Sequence, residues 1–534
     1  MRRFLCVVAL AVVVADASSV RERRQALRKK DSAKLEELCR DRGDEYFRLE
    51  DENDCKVVYR CDRGRDATRL ARVKCPPSLS FDIVRQTCDW SYKVKNCDIK
   101  QKERKVLPLL KTDEPLCPVD QLACGSGDCI DSFLFCDGQP DCADKSDENA
   151  CEVGVDPNGS FLCDTSQCLL PSCFCSSDGT QIPENLEPAQ TPQMITMTFT
   201  GAVNVDNINL YQEIFRDERQ NPNGCTAKGT FFVSHKYTNY SAVQELHRKG
   251  HEIGVFSITT NDDPSYWSDG SYEIWRDEMA GARDIIENFA NITDGTVAGV
   301  RAPQLRVGGN NQFAMMIDQQ FVYDSSITAP YGRVPIWPYT LDYQMPHKCL
   351  GTSQNCPSQS HPVWEMVINE LDLRENPETE ERLPGCHLLS SCASINNPEQ
   401  FAKILRNNFE HHYSTNRAPF GLHLTADWLQ NNKGFINELI KFIDEMQAKN
   451  DVYFVTESQV ISWMQAPKET NAIRDFDDWK LKCEVKGLPE CSIPNACLLT
   501  TRELPGDNFY LNTCMECPKN YPWIKDYTGN GFAL

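Results

Sequence analysis

Apolar and polar residues alternate along this chain in two rhythms. From about residue 191 to 466, short apolar runs recur: "MITMTF", "GTFFVS", "HEIGVF", "VAGV", "QFVYD", "FGLHL" and "VYFV". Each has the length and the β-branched or aromatic content of a strand. Between them, "SYEIWRDEMAGARDIIENFAN" and "GFINELIKFIDEMQAKN" repeat apolar residues every three or four positions, the spacing of one helix face. Strands alternating with helices predict an α/β domain built on a parallel sheet, open or closed as a barrel. Reactive side chains of such sheets stand at the C-terminal ends of the strands, so those ends are the place to look for chemistry.

Before residue 191 that rhythm is missing and cysteine sets the organisation. Cys39, Cys55, Cys61, Cys75, Cys88 and Cys97 fall within 38–98, a basic linker covers 99–115, and Cys117, Cys124, Cys129, Cys136, Cys142 and Cys151 fall within 116–152. A connector at 163–190 holds Cys163, Cys168, Cys173 and Cys175, and a tail at 467–534 carries five more cysteines. Segments this short bury too little apolar surface to fold on it alone, which predicts disulfide-stapled modules. The tail reads as a stapled wrap around the α/β domain, and its "CMEC", with no second C-x-x-C, as disulfide partners.

Composition adds the compartment. Arg2 and Arg3, an apolar run from Phe4 to Val14 and Ala15-Asp16-Ala17 read as a signal peptide over 1–17. The run is too short for the roughly 20 residues a membrane span needs, so no membrane span is expected. Of 27 cysteines, Cys6 lies in that segment, and the remaining even number suits an oxidised, secreted chain. Sequons at Asn158, Asn239 and Asn291 are candidate glycosylation sites. The net charge of −21 argues against nucleic acid as a partner.

The first module, with Tyr59, Phe81 and Trp90 between its cysteines and the stretch "FDIVRQTCDW", resembles the peritrophin-A type of chitin-binding domain. Those three aromatics are its candidate chitin contacts, because sugar C–H faces stack on exposed rings. The alternative for each ring is core filling. The second module ends "FCDGQPDCADKSDENAC" and resembles an LDL-receptor class A repeat. That resemblance implies a Ca²⁺ site with side-chain oxygens from Asp137, Asp141, Asp147 and Glu148 and backbone carbonyls near Leu134 and Gln139. It also implies a basic protein surface, such as that of a matrix protein, as partner.

The α/β domain, through "NVDNINLYQEIF", "KGTFFVSHKYTNY", "EMAGARDIIENFANITDG", "LRVGGN" and "TCMECP", resembles the polysaccharide deacetylase family, and within it the arthropod chitin deacetylases. The resemblance implies a distorted (β/α) barrel and a Zn²⁺-dependent reaction on N-acetylglucosamine units. It also exposes departures. Where the family has T-F-D-D, this chain has Thr200 in place of the general base and Gly201 in place of a zinc ligand. Where the family has H-S-x-x-H, it has Phe256 and Thr260, and where L-x-F-H supplies the acid histidine it has Thr425. Arg301 and Asp324 match supporting residues whose partners are gone, and both are expected to pair elsewhere. Gln304 stands where relatives often have Tyr. Of the nine histidines, His423 is the best substitute acid, two residues before Thr425 on the same strand face, while His411 and His412 read as surface. The expectation is a lost zinc site and a secreted, chitin-binding but catalytically silent protein of chitinous extracellular matrix. The alternatives are an active metal-dependent chitin deacetylase and a matrix adaptor whose barrel is a spacer.

Overall fold

The computed structural model describes parts of residues 47–97, two short strands at 121–123 and 129–131, and residues 162–531 apart from 350–353, 381–384, 393, 482, 484–490, 492 and 502. The chain divides into two compact units, 1–105 with the last three residues, and 106–531.

In the first unit, β1 (Val57–Arg63) pairs antiparallel with β2 (Thr68–Lys74), and β3 (Leu79–Asp82) with β4 (Thr87–Trp90). Cys55–Cys97 and Cys75–Cys88 staple them. The core is small: Val58, Cys75, Phe81 and Ile83. In the second unit, β5 (Gln121–Ala123) and β6 (Cys129–Asp131) form an antiparallel pair.

All seven apolar runs of the α/β domain contain strands: β7 (Gln193–Gly201), β8 (Thr230–Ser234), β9 (Glu252–Ser257), β10 (Gly299–Val300), β11 (Tyr323–Asp324), β16 (Phe420–Leu424) and β17 (Val452–Val455). Four more two-residue strands, β12 (Thr328–Ala329), β13 (Tyr339–Thr340), β14 (Trp364–Glu365) and β15 (Ile368–Asn369), lie in the long loop region that follows β11. The sheet order is β13-β14-β11-β10-β9-β8-β7-β16, with β17 also on β7; every pairing is parallel except β13 with β14. Helices cross over between β7 and β8 (Ile208–Ile214), β8 and β9 (Tyr240–Arg248), β10 and β11 (Gly309–Asp318), and β16 and β17 (Phe435–Gln447). Between β9 and β10 the periodic stretch is helical from Tyr272 to Phe289, with a π turn over Arg276–Ala280.

The sheet is an incomplete barrel. Arg301, just after β10, reaches His423 on β16 at 3.2 Å. Four strand spacings separate these two strands, about 19 Å if the sheet were flat, so the sheet curls and brings its members together inside. Strand alternation sorts side chains between two layers. Ile195, Met197 and Phe199 of β7, with Phe231, Val233, Ile253 and Val255, belong to the larger core cluster, which includes the helix faces. Met194, Phe232, Tyr323 and Val455 form a second cluster inside the curl. Gly299 leaves room there for the Tyr323 ring, which a Cβ would meet at 2.2 Å.

The tail forms a hairpin of β18 (Asn495–Thr501) and β19 (Leu504–Thr513). Its five cysteines all pair: Cys491–Cys514, Cys497–Cys517, and Cys483 with Cys225, 258 residues earlier. His235 Nε2 lies 2.7 Å from the Pro522 carbonyl, and Thr513 Oγ1 donates to Phe289 O at 2.6 Å, so the tail is bonded to the α/β domain.

Candidate functional site

Alternation on β7 turns Thr196, Thr198 and Thr200 to the inside of the curl, and register sets them beside β16: His423 pairs with Thr198. Thr200 and Thr425 therefore stand next to each other one step further on, at the C-terminal mouth. Gly201 follows with φ 126°, a conformation strongly favouring glycine, and a Cβ built there meets no heavy atom within 4 Å. On the neighbouring side, the β8–β9 register jumps from Val233–Val255 to Ser234–Ser257, leaving Phe256 unpaired in a bulge. Phe256 is half-buried and packs on the Phe232 and Tyr323 cluster. Thr260 has φ 49° and donates its hydroxyl to Thr259 O at 2.7 Å.

The sheet thus brings together the five positions singled out in the sequence. Their chemistry does not fit zinc. Gly201 offers no side chain, Phe256 a phenyl ring and Thr260 a hydroxyl already engaged, whereas zinc takes imidazole, thiolate or carboxylate donors. Among the described residues no three His, Cys, Asp or Glu side chains are grouped so as to hold a metal ion.

Beneath these positions lies a buried polar network centred on Arg301, which is 1 % exposed. Its Nη1 donates to Thr198 Oγ1 at 2.6 Å and Thr200 Oγ1 at 3.4 Å, and its Nε to Ser325 O at 2.9 Å. Nη2 donates to Ser325 Oγ at 2.7 Å, to His423 Nδ1 at 3.2 Å and to Glu457 Oε1 at 3.2 Å. The guanidinium also lies 4.1 Å from the centre of the Phe232 ring. Because a guanidinium only donates, His423 Nδ1 is an acceptor and its proton sits on Nε2. Burial, then the Arg301 charge, lowers the His423 pKa well below the usual imidazole value. His423 is therefore neutral and tied to Arg301 and Thr198, below the mouth.

Arg301 and Glu457 are both drawn toward neutrality by burial. A guanidinium keeps its proton in proteins, so the marginal charge is that of Glu457, raised to about 8 by burial against the opposing pull of Arg301. Asp324 has also found other partners. Its Oδ1 accepts from Gln312 Nε2 at 2.8 Å and Ser326 Oγ at 2.9 Å. In the β11–β14 register it pairs directly with Glu365. Burial raises Asp324 to about 7 and Glu365 well above the usual carboxylate value, so the two adjacent acids hold a proton between them.

Further acids support the mouth from behind. Glu278, in the π turn, accepts from Ile258 N and Thr259 N at 3.0 Å, from Thr259 Oγ1 and from Tyr266 OH, fixing the loop that carries Thr260. Glu252 accepts from Thr230 Oγ1 at 2.9 Å, Tyr323 OH at 2.8 Å and Ser458 N at 3.0 Å. Sequence reasoning missed Glu457, Glu365, Glu278 and Glu252. In "TESQ", Glu457 reads as the acidic first-turn residue of a helix, and Thr456 and Gln459 do form a capping box around it. Only the curl of the sheet turns that carboxylate inward.

Two expectations are corrected. Phe81 is fully buried in the core of the first module, and Tyr59, 8 % exposed, is bridged through its backbone to Phe47, so both rings are core filling and not sugar contacts. A module with so few apolar residues needs them inside. His412 is buried, not surface: Nδ1 lies 2.9 Å from Ala418 O, and burial lowers its pKa to about 3. The Trp90 side chain, Asn158 and the proposed calcium ligands Leu134, Asp137, Gln139, Asp141, Asp147 and Glu148 lie outside the described residues. Asn291 is exposed, while Asn239 is half-buried, its Oδ1 capping the helix at Ser241 N. No described helix is long and apolar enough to cross a membrane.

Residues 39–97 match the chitin binding Peritrophin-A domain and residues 115–151 the low-density lipoprotein receptor domain class A. Chitin deacetylase 1 of Bombyx mori is 53% identical over 526 residues, 98% of this chain and 97% of its own length. The chain therefore belongs to the chitin deacetylase family. Chitin deacetylase 8 of Bombyx mori is 33% identical over 69% of this chain and 93% of its own length. Among solved structures, Puue Allantoinase covers 52% of this chain and 92% of its own at 14% identity, with a TM-score of 0.34.

Proposed function

We propose that this chain is a catalytically silent member of its family: a secreted protein that binds chitin and helps organise a chitinous extracellular matrix. The observation that carries the reading is the chemistry at the mouth. Thr200, Gly201, Phe256, Thr260 and Thr425 occupy one end of the sheet and offer neither a zinc donor set nor a carboxylate base nor an imidazole acid there. Each acid or base group commonly contributes about 10²–10⁴ in rate, and such groups fail together. A substitute acid is the alternative that identity to Chitin deacetylase 1 invites. His423 is unsuited to that role, being neutral, buried and held by Arg301.

Chitin binding is supported by the match over 39–97, with Trp90 the remaining candidate of the three aromatics. Ca²⁺ held by Asp137, Asp141, Asp147 and Glu148, with carbonyls near Leu134 and Gln139, is proposed for 115–151, and that module's partner is a basic protein surface. Secretion is supported by the disulfides and by the leader-like first 17 residues. The test is acetate release from soluble chitin with added zinc, beside a variant carrying Thr200→Asp, Gly201→Asp, Phe256→His, Thr260→His and Thr425→His. The natural chain is expected to be at background and the variant above it. Acetate release by the natural chain would overturn the silent reading.

A further inference from the structure

The sheet curls without closing. β16 ends the strand order at one edge, and the segment 366–371 that follows β14 lines the same small cavity from the opposite side. Among the described residues no strand pairing joins the two. The space open to the centre of a water molecule in this cavity is about 10 Å³. That suits one water and excludes an organic ligand. Most of the lining is apolar, but four polar side chains reach it: Thr196, His412, His423 and Glu457.

The sequence places them there. Gly421 pairs with Thr196 across the β7–β16 ladder, and a Cβ on Gly421 would stand 2.5 Å from His423 Nε2. The imidazole therefore lies back over the glycine, beside Thr196. Bonds elsewhere on each group fix the hydrogens. His423 Nδ1 accepts from Arg301 Nη2 at 3.2 Å, which leaves a hydrogen on Nε2. His412 Nδ1 donates to Ala418 O at 2.9 Å, which leaves a lone pair on Nε2. Glu457 Oε1 accepts from Arg301 Nη2 at 3.2 Å and from Ser325 Oγ at 3.1 Å, and burial keeps the carboxyl protonated at neutral pH, so its hydrogen falls on Oε2.

Among the described residues, Thr196 Oγ1, His412 Nε2, His423 Nε2 and Glu457 Oε2 have no hydrogen-bond partner. One unpaired buried polar group is costly, and four at a single cavity call for a shared partner. Two donors, one acceptor and a hydroxyl complement the two lone pairs and two hydrogens of water. We propose that this cavity is a binding site for one water molecule, which accepts from His423 Nε2 and Glu457 Oε2 and donates to His412 Nε2 and Thr196 Oγ1. It joins β7, β16 and the helices Pro398–Tyr413 and Glu457–Gln465 at one internal point. The site holds whether or not the chain releases acetate.

Thr196→Val keeps the shape of the side chain and removes the hydroxyl, so the sign of its effect separates a wet cavity from a dry one. With water bound, the variant loses one hydrogen bond, and its folding equilibrium constant in urea denaturation, disulfides intact, should fall about fivefold. In a dry cavity the same change removes an unpaired buried hydroxyl, and stability rises. High-resolution diffraction from the full-length natural protein is the second measurement. It is expected to show density for one water within hydrogen-bond distance of at least three of the four atoms. A Thr196→Val variant at least as stable as the natural chain, or a cavity without such density, overturns the site.

Discussion

Arg301 shows what a single buried residue demands of its surroundings. A buried guanidinium must have its N–H groups accepted, and here Glu457 Oε1 at 3.2 Å, the Ser325 carbonyl, the Thr198 and Ser325 hydroxyls and His423 Nδ1 accept them. With Glu457 raised to about 8 its carboxyl is protonated at neutral pH, and Glu457→Gln keeps an uncharged acceptor for Arg301, so the variant is expected to change stability by no more than about 1.5 kcal/mol in urea denaturation at pH 7 with disulfides intact. A loss of about 3–5 kcal/mol, the cost of removing one charged partner of a buried pair, would mean that Glu457 is ionised there. Gly201 makes a different prediction. Its surroundings are open but its φ of 126° is not, so Gly201→Ala and Gly201→Asp should cost about the same, roughly 1–3 kcal/mol. A much larger loss for Asp than for Ala would place the cost in the carboxylate instead of the backbone. At this scale the sequence singles out positions that the structure places at the strand ends of β7, β9 and β16, because such places can be counted off along a strand. It did not identify Glu457 or Glu365, whose roles depend on elements far away in the chain.

Among the elements, β11 and β14 carry the clearest consequence. Their parallel register sets Asp324 beside Glu365, and burial raises Asp324 to about 7. The folded protein then holds a proton that the unfolded chain releases near pH 4. The contribution of Asp324 to folding stability should therefore fall as pH rises from about 4 to about 7, and Glu457, raised to about 8, carries the decline further. Melting temperatures of the natural chain and of Asp324→Asn across this range provide the check: the variant should show a shallower decline, and parallel curves would remove the acid pair from the account. The seven strands of the α/β pattern were legible because each is an apolar run with β-branched or aromatic residues. The two-residue strands after β11 were not, since "WEMVIN" is too short to display any period. The π turn that aims Glu278 at the Thr259 loop was equally hidden inside an ordinary helical rhythm.

Across the whole molecule, cysteine and calcium set the expectations. The five tail cysteines form two local bridges and one to Cys225, and these tie the tail hairpin to the α/β domain. If Asp137, Asp141, Asp147 and Glu148 hold Ca²⁺, chelation should unfold the 115–151 module by leaving four close carboxylates uncompensated. Limited proteolysis with and without chelator is expected to open cleavage within that module while the melting of the α/β domain stays put; equal protection in both conditions would count against the site. By itself the sequence determined the modules, the strand and helix order, and the absence of acid, base and zinc donors from the five motif positions, because these are local matters of spacing and residue type. Only the tertiary structure decided which rings are buried and which acid lies against Arg301. Burial and pairing in a curled parallel sheet join residues that lie tens to hundreds of positions apart, and no local pattern records that.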